Sequence, residues 1–222
     1  MPLRPRLLAD LRAALGAAVT PAITAADPAH DIYEVYILGL ILQAAAAEGA
    51  SVTYEDVTGA NGGIATFRDS PGHIWWSSRP FTHAIIAFAG KPHLEAHVGI
   101  YVSGNSGVLH EADVAVIRRD EGVTCRNNQV PPRSKSLVLG AECKFYSTRL
   151  GLHLGRGFMG LCGDLKGRGL FFVSNSASPS IERLLAHHAK WKGYSVIPPN
   201  QDSVAHLTHL FRETFQNFKA RN

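Results

Sequence analysis

The feature that most constrains this chain is a dense succession of strand-like segments in its middle. Residues 82–88, 108–117 and 137–146 are largely apolar, and residues 95–103 alternate loosely between apolar and polar side chains. Turn or loop residues separate these segments. Around them, helical spacing predicts helices over 3–18, 31–48, 180–191 and 203–220, with short strands at 170–173 and 194–198. Helices followed by strands and then by alternating helix and strand predict an α/β fold in which helices flank a mixed sheet.

Composition restricts the class of protein. Of 222 residues 45% are hydrophobic, which suits one globular domain and excludes disorder as a description of the whole chain. The longest apolar run, residues 35–47, is shorter than the roughly 20 residues that a membrane span needs. Cys125, Cys143 and Cys162 form no C-x-x-C pair, which favours a reducing compartment. We therefore expect a cytoplasmic protein that does not contact a membrane.

Charged residues occupy the middle of two of these apolar strands. Glu111 and Asp113 stand in the segment 108–117, and Glu142 and Lys144 stand in the segment 137–146. Because strand side chains alternate between faces, each pair is expected to share a face. An ionised group inside an apolar strand costs several kcal/mol unless it is paired or binds a metal ion.

Pairing of the two strands would bring Asp113, Glu142 and Lys144 together. Two carboxylates are hard oxygen ligands of the kind that Mg²⁺ prefers, and the backbone carbonyl of Cys143 could add a third. Lys144 could then orient or deprotonate a nucleophile, or neutralise charge on a phosphate. The alternative is a cross-strand ion pair on a solvated edge strand.

These residues resemble the PD-(D/E)XK nuclease superfamily, which has the restriction-endonuclease-like fold. Asp113 is similar to the acidic residue on the second core strand of that family, Glu142-Cys143-Lys144 to its (D/E)-x-K, and Glu34 to the acidic residue on its first core helix. The resemblance implies a central mixed sheet with an αβββαβ core within residues 31–175. It divides the chain into an N-terminal helical extension, 1–30, and a nuclease-like domain, 31–222, with an insertion at about 50–94.

The resemblance also implies an activity, namely Mg²⁺-dependent hydrolysis of phosphodiester bonds, with Mn²⁺ as a possible substitute. Asp113, Glu142, Lys144 and Glu34 would be catalytic, with Asp113, Glu142 and the Cys143 carbonyl holding the metal and Glu111 as an accessory group. The expected substrate is DNA, cut by an endonuclease of a restriction, repair or defence system. A homodimer or a larger defence or repair complex is the expected assembly.

Basic residues are concentrated in one stretch. Residues 118–168 contain ten Lys or Arg and four Asp or Glu, whereas the net charge of the whole chain is +4. The first part of this stretch, about 18 residues rich in Arg, Asn and Pro, is expected to be a loop beside the charged strands. Phosphate contacts are made by such groups, although a solvated loop explains them equally well. The predicted nucleic-acid-binding residues are Arg118, Arg119, Arg133, Lys135, Arg149 and Arg156.

Other functions stay open at the level of sequence. A catalytically silent or partner-dependent nucleic-acid-binding subunit could keep the same fold without cutting. A nuclease of this fold directed at RNA would carry the same charged residues. A structural domain with incidental ion pairs is the third alternative.

Overall fold

A computed structural model describes residues 3–60, 63–165 and 169–222 of the chain. Its main element is a seven-stranded mixed sheet with the strand order β2-β4-β5-β6-β7-β8-β9. A separate parallel pair joins β1 to β3. Within the described residues, the nine strands are β1 Thr20–Pro21, β2 Ser51–Asp56, β3 Ile64–Ala65, β4 Thr82–Ala87, β5 Leu94–Ser103, β6 Leu109–Arg118, β7 Leu137–Lys144, β8 Leu170–Ser174 and β9 Trp191–Gly193.

The sheet has two halves of different direction. Neighbouring strands from β2 to β7 are antiparallel, whereas β7, β8 and β9 are parallel. Parallel neighbours need a crossover, and helices provide both of them: α4 (Leu152–Leu165) joins β7 to β8, and α5 (Pro179–His187) joins β8 to β9. The fold is therefore α/β with a mixed central sheet.

Helices cover both faces of the sheet. α1 (Leu3–Leu15), α2 (Ala29–Ala47) and α6 (Gln201–Arg221) contribute to one hydrophobic core, and α4 and α5 contribute to a second. α2 is apolar on nearly all sides and lies against β5, β6 and β7. α6 packs through a single stripe that contains Leu207, Phe211, Phe215 and Phe218, as its helical spacing predicts.

The structure corrects several local expectations. α2 begins at Ala29 with Pro28 at the N-cap position, two residues before the predicted start of this helix at residue 31. Most of the expected loop after β6 is a helix, α3 (Arg119–Asn128). The last strand lies at Trp191–Gly193 and not at 194–198. Within 50–94, β2 and β4 extend the main sheet, so part of the predicted insertion belongs to the central layer.

No helix within the described ranges is long and apolar enough to cross a membrane.

Candidate active site

Strands β6 and β7 separate in the middle of the sheet. Their paired residues run from Ile117 and Leu137 to Val114 and Ala141, and the ladder ends there. Immediately beyond it, the Cys143 N–H donates to Asp113 Oδ2 at 2.6 Å. Since the N–H and C=O of one strand residue point to the same side, the Cys143 carbonyl is also directed towards this fork. A side-chain carboxylate thus replaces the main-chain acceptor of a regular ladder.

The hydrogen-bonded ladder between β5 and β6 is also irregular, at the level of Asp113. Val98 pairs with Val114 and Ile100 pairs with Ala112, which leaves Gly99 opposite Asp113. Gly99 has φ of +60°, a left-handed conformation that L side chains rarely adopt. Val98 and Val114 belong to the first core, whereas Ile100 and Ala112 belong to the second. Both strands therefore exchange faces at the level of Asp113, and the carboxylate lies at the bend.

Lys144 connects the charged residues of the fork. Its Nζ lies 2.7 Å from Glu142 Oε1 and 3.5 Å from Asp113 Oδ2. Asp113 is buried, and the other two side chains are about four-fifths buried. Ala141 and Cys143 face the apolar core, as alternation along the strand predicts. The three residues expected to converge, Asp113, Glu142 and Lys144, do so.

Glu34 and Glu111 complete this group. Glu34, near the start of α2, interacts electrostatically with Asp113, Glu111 and Lys144. Glu111 interacts with Glu142 and Lys144. We call Glu34, Glu111, Asp113, Glu142 and Lys144 the acidic cluster. It contains four carboxyl groups and one amine, and these side chains belong to one helix and two strands.

The pKa values in the acidic cluster reflect the excess of its four carboxyl groups over its one amine. Burial, followed by the charges of Asp113, Asp31 and Glu111, raises the pKa of Glu34 to about 9. Burial, followed by the charge of Glu142, raises the pKa of Asp113 to about 7. Burial disfavours the charged form of Lys144, but Asp113 and Glu142 outweigh it and raise the pKa of the amine. One ammonium does not neutralise four carboxyl groups, of which Asp113 is buried and Glu111 is exposed, and a cation would complete the balance.

The donor atoms of the acidic cluster fit a hard divalent cation. Asp113 and Glu142 offer carboxylate oxygens and Cys143 offers a carbonyl oxygen, the ligand types that Mg²⁺ takes. Among the described residues, however, the three possible ligand side chains with atoms all within 4.8 Å of one another are Glu55, His83 and Glu95. This second group, which sequence reasoning did not identify, could also hold a metal ion.

Arginines already neutralise that second group. Arg126 donates from both terminal nitrogens to the two oxygens of Glu95, at 2.8 and 2.5 Å. Arg119 donates to both oxygens of Glu55, at 3.1 and 3.0 Å. The Nε2 atom of His83 lies 3.1 Å from Glu55 Oε1, and that of His97 lies 3.1 Å from Glu95 Oε2. We call these residues the balanced cluster: Glu55, His83, Glu95, His97, Arg119 and Arg126.

In the balanced cluster, the pKa values of Glu95 and His83 are lowered, whereas burial raises carboxyl pKa values in the acidic cluster. Burial of Glu95 is outweighed by its hydrogen bonds from Arg126 and His97, which hold its pKa well below the usual range. Burial, followed by the charge of His97, lowers the pKa of His83 to about 2. Two carboxylates and two guanidiniums therefore face each other with His83 neutral. Charge balance here requires no added cation.

The predicted nucleic-acid-binding residues fall into two groups. Arg118, Arg119 and Arg133 pair with Asp120, Glu55 and Glu121 respectively. Arg118 lies five residues along β6 from Asp113, about 17 Å at the rise of an extended strand. Lys135 is exposed on the segment between α3 and β7.

Arg149 and Arg156 are nearer to the acidic cluster along the chain. Both are exposed, Arg149 between β7 and α4 and Arg156 within α4. β7 is the strand that carries Glu142 and Lys144. Of the six predicted basic residues, these two follow the charged strand directly. Contact with nucleic acid stays a prediction for all six.

Comparisons with protein-family models, curated proteins and solved structures give no match to this chain.

Proposed function

We propose that the chain is a metal-dependent phosphodiesterase that hydrolyses nucleic acid, most readily DNA, on a restriction-endonuclease-like core. When β2, β3, β4 and α3 are treated as additions to the core, the remaining elements α2, β5, β6, β7, α4 and β8 follow its αβββαβ order. Asp113 lies on the second of these strands, Glu142 and Lys144 on the third, and Glu34 on the helix. This correspondence of order and position supports the proposed fold.

One observation carries the proposed activity. In the fork between β6 and β7, Asp113 and Glu142 lie within 3.5 Å of the Lys144 amine, and Glu34 and Glu111 add two more carboxyl groups. Buried carboxylates in excess of their local cations are costly unless something else neutralises them. A divalent cation that also binds a phosphate group would do so.

The residues of the fork divide the roles between them. Asp113, Glu142 and the Cys143 carbonyl would hold Mg²⁺, or Mn²⁺ in its place. When bound, such an ion neutralises charge on the scissile phosphate and makes a nearby water more acidic. Lys144 has a raised pKa and so remains protonated at neutral pH, which suits orienting water and phosphate oxygens rather than abstracting a proton. Glu34, with a pKa of about 9, is the carboxyl group that can hold a proton at neutral pH.

Cleavage assays test this proposal. Supercoiled plasmid, single-stranded DNA and structured RNA are each incubated with the purified chain in Mg²⁺, in Mn²⁺ and in EDTA. We expect cutting with either metal, none in EDTA, and a loss of about a hundredfold or more in Asp113→Asn and Lys144→Met. Glu213→Gln, a half-exposed carboxylate on α6, is the matched control and should cut normally.

The results with the three substrates distinguish the proposed function from its alternatives. Cutting of RNA but not DNA would support the RNA-directed enzyme of the same fold. Binding without cutting of any substrate would support a silent or partner-dependent subunit. Cutting that persists in EDTA, or in Asp113→Asn, would contradict the proposed function.

A further inference from the structure

An aromatic group lies along β5, beside the acidic cluster. The His73 ring stacks on Trp75 with centroids 4.0 Å apart and planes 20° apart. It also meets the edge of Trp76 at 5.2 Å and the ring of Tyr101 at 5.2 Å. Trp76 remains 45% exposed. We call His73, Trp75, Trp76 and Tyr101 the aromatic rim.

Backbone hydrogen bonds hold this rim on the sheet. The Gly72 N–H donates to the Gly99 carbonyl, and the Tyr101 N–H donates to the Gly72 carbonyl, both at 3.0 Å. A Cβ atom at Gly72 would lie 3.0 Å from the Trp76 ring and 2.5 Å from Arg68 Nη1, so a glycine is required for this close approach. Arg68 is buried and donates to the His73 carbonyl at 2.8 Å. The rings are thus positioned before any ligand arrives, which lowers the entropic cost of binding.

The aromatic rim borders the acidic cluster. Tyr101 pairs directly with Glu111 across β5 and β6. Strands are spaced by about 4.8 Å, so the segment that carries Gly72 lies about 10 Å from the backbone of β6. At its other end, Asp69 interacts electrostatically with Asp31 of α2, the residue that also acts on Glu34.

A further exposed ring lies on the opposite side of the cluster. Tyr146, which follows Lys144 by two residues, is 42% exposed. Its N–H donates to Asn175 Oδ1 at 2.9 Å, and its carbonyl accepts from Asn175 Nδ2 at 3.0 Å. The acidic cluster therefore has exposed aromatic surface on both sides, from Trp76 before β5 and from Tyr146 after β7.

The charge around the aromatic rim favours bases over phosphates as its ligand. Asp27, Asp31 and Asp69 interact with one another at this border. The two arginines of the segment are engaged, Arg68 by burial over the Phe81 ring and Arg79 by Asp69. Repulsion disfavours a duplex backbone on such a surface, whereas the flat face of an unpaired base stacks on aromatic rings regardless of its sequence.

We propose that the aromatic rim is a stacking subsite for an unpaired nucleobase, so that the enzyme acts on single-stranded segments or strand ends. This inference rests on the proposed function of the acidic cluster. Its chemistry is base stacking next to the scissile phosphate, and Trp76 is the exposed ring that meets the base.

Binding measurements with two Trp76 variants test the subsite. Anisotropy of labelled single-stranded and duplex oligonucleotides is measured with the full chain, with Ca²⁺ in place of Mg²⁺ to slow cleavage. Trp76→Ala should weaken single-strand binding about tenfold and change duplex binding less than twofold. Trp76→Phe, which keeps a ring, should recover most of the affinity. Val123→Ala, a matched exposed apolar residue on α3, should change neither.

The outcomes distinguish this inference from the function on which it rests. If the wild-type chain cuts with Mg²⁺ but Trp76→Ala binds single strands normally, the subsite is wrong and the nuclease stands. Equal losses on single strands and duplex would also overturn it. If the wild-type chain binds single strands through Trp76 but never cuts, the subsite stands and the nuclease fails. A wild-type chain that neither binds nor cuts would overturn both.

Discussion

Two buried groups of charges share one sheet, and they differ in how their charges are compensated. The balanced cluster sets two arginines against two glutamates, with the histidines between them. The acidic cluster sets one lysine against four carboxyl groups. They lie close together, since Glu95 precedes Gly99 by four residues on β5, about 14 Å at the rise of a strand.

The difference separates buried charges that are compensated by their neighbours from charges that are not. In the balanced cluster, burial is outweighed by hydrogen bonds, and the pKa of Glu95 falls. In the acidic cluster, burial and like charges dominate, and the pKa values of Glu34 and Asp113 rise. A raised carboxyl pKa in a buried group marks interactions that the protein leaves incomplete. Burial alone therefore does not mark a candidate site, whereas burial without charge compensation does.

The largest expected effect comes from breaking the balanced cluster. Glu95→Gln leaves the Arg126 guanidinium buried without its counter-charge, and breaking a buried pair in this way costs about 3–5 kcal/mol. Urea denaturation would measure the loss in free energy of unfolding. Asp120→Asn, which removes the exposed partner of Arg118, is the matched control and should cost less than about 1 kcal/mol. Similar small losses in both variants would show that the buried network does not stabilise the fold.

Divalent metal should stabilise the chain through the acidic cluster. At a Mg²⁺ concentration of about 100 times Kd, the free energy of unfolding should rise by about 2.7 kcal/mol, because the ion binds only the folded chain. Calorimetry with and without Mg²⁺ would record the rise in Tm. Asp113→Asn should abolish the rise, and Glu55→Gln should keep it. The reverse pattern would indicate that the metal ion binds to Glu55, His83 and Glu95 instead.

Acid should weaken the balanced cluster through its histidines before it protonates Glu95. The folded-state pKa of His83 is lowered to about 2, so below about pH 6.5 only the unfolded chain takes up this proton. The resulting stability is present above pH 6.5 and falls with pH, by at most about 1.4 kcal/mol per unit. The pKa of Glu95 is also lowered, so its contribution is lost only below about pH 4.5.

The window from pH 6.5 to 4.5 therefore tests His83 and its neighbour His97, whose pKa is also lowered by burial. The raised pKa values of Glu34 and Asp113 add an opposite slope that is common to the wild-type chain and His83→Gln, so the difference in slope reports His83. In urea denaturation across this window, acid should therefore lower the stability of His83→Gln less than that of the wild-type chain. His209→Gln, an exposed histidine on α6, should leave the slope unchanged. Identical slopes for all three proteins would show that His83 does not contribute to the pH dependence of stability.

The smallest expected change in stability comes from a substitution outside both clusters, and it serves as a reference for the effects of substitutions within them. α4 contains Gly157, where an added Cβ atom would contact nothing within 4 Å. Gly157→Ala should raise the free energy of unfolding by about 0.5–1 kcal/mol through helix propensity alone. Thermal unfolding would detect this rise. A loss of stability instead would show that α4 needs its glycines for a reason other than space.

Local pattern predicted the strands β4 to β8 and the residues of the fork. Asp113, Glu142 and Lys144 stand out because charge interrupts apolar strands, a signal contained within single segments. Alternation does not describe the bend at Asp113, since that bend depends on Gly99 in the neighbouring strand. The segment of α3 is rich in Arg and Asn, which predicts a loop, and the helix buries only three of its ten residues, so it carries no apolar periodicity that would indicate a helix.

The balanced cluster illustrates what sequence could not provide. Glu95 and His97 are two residues apart, which marks them as a pair. Arg126 lies 31 positions beyond Glu95, and Arg119 lies 64 positions beyond Glu55. Such contacts depend on strand order, in which β2 and β4 join the edge beside β5. No local periodicity records that order.

The hydrogen bond from the Cys143 N–H to Asp113 Oδ2 has a consequence for mutational tolerance. In a regular ladder, a main-chain carbonyl satisfies such an amide whatever side chain stands opposite it. Here the partner is a side chain, so a residue without an acceptor at the same reach leaves a buried amide unpaired. Position 113 should therefore accept few replacements even in a chain that never meets a substrate, and architecture alone would keep an acid or its amide there.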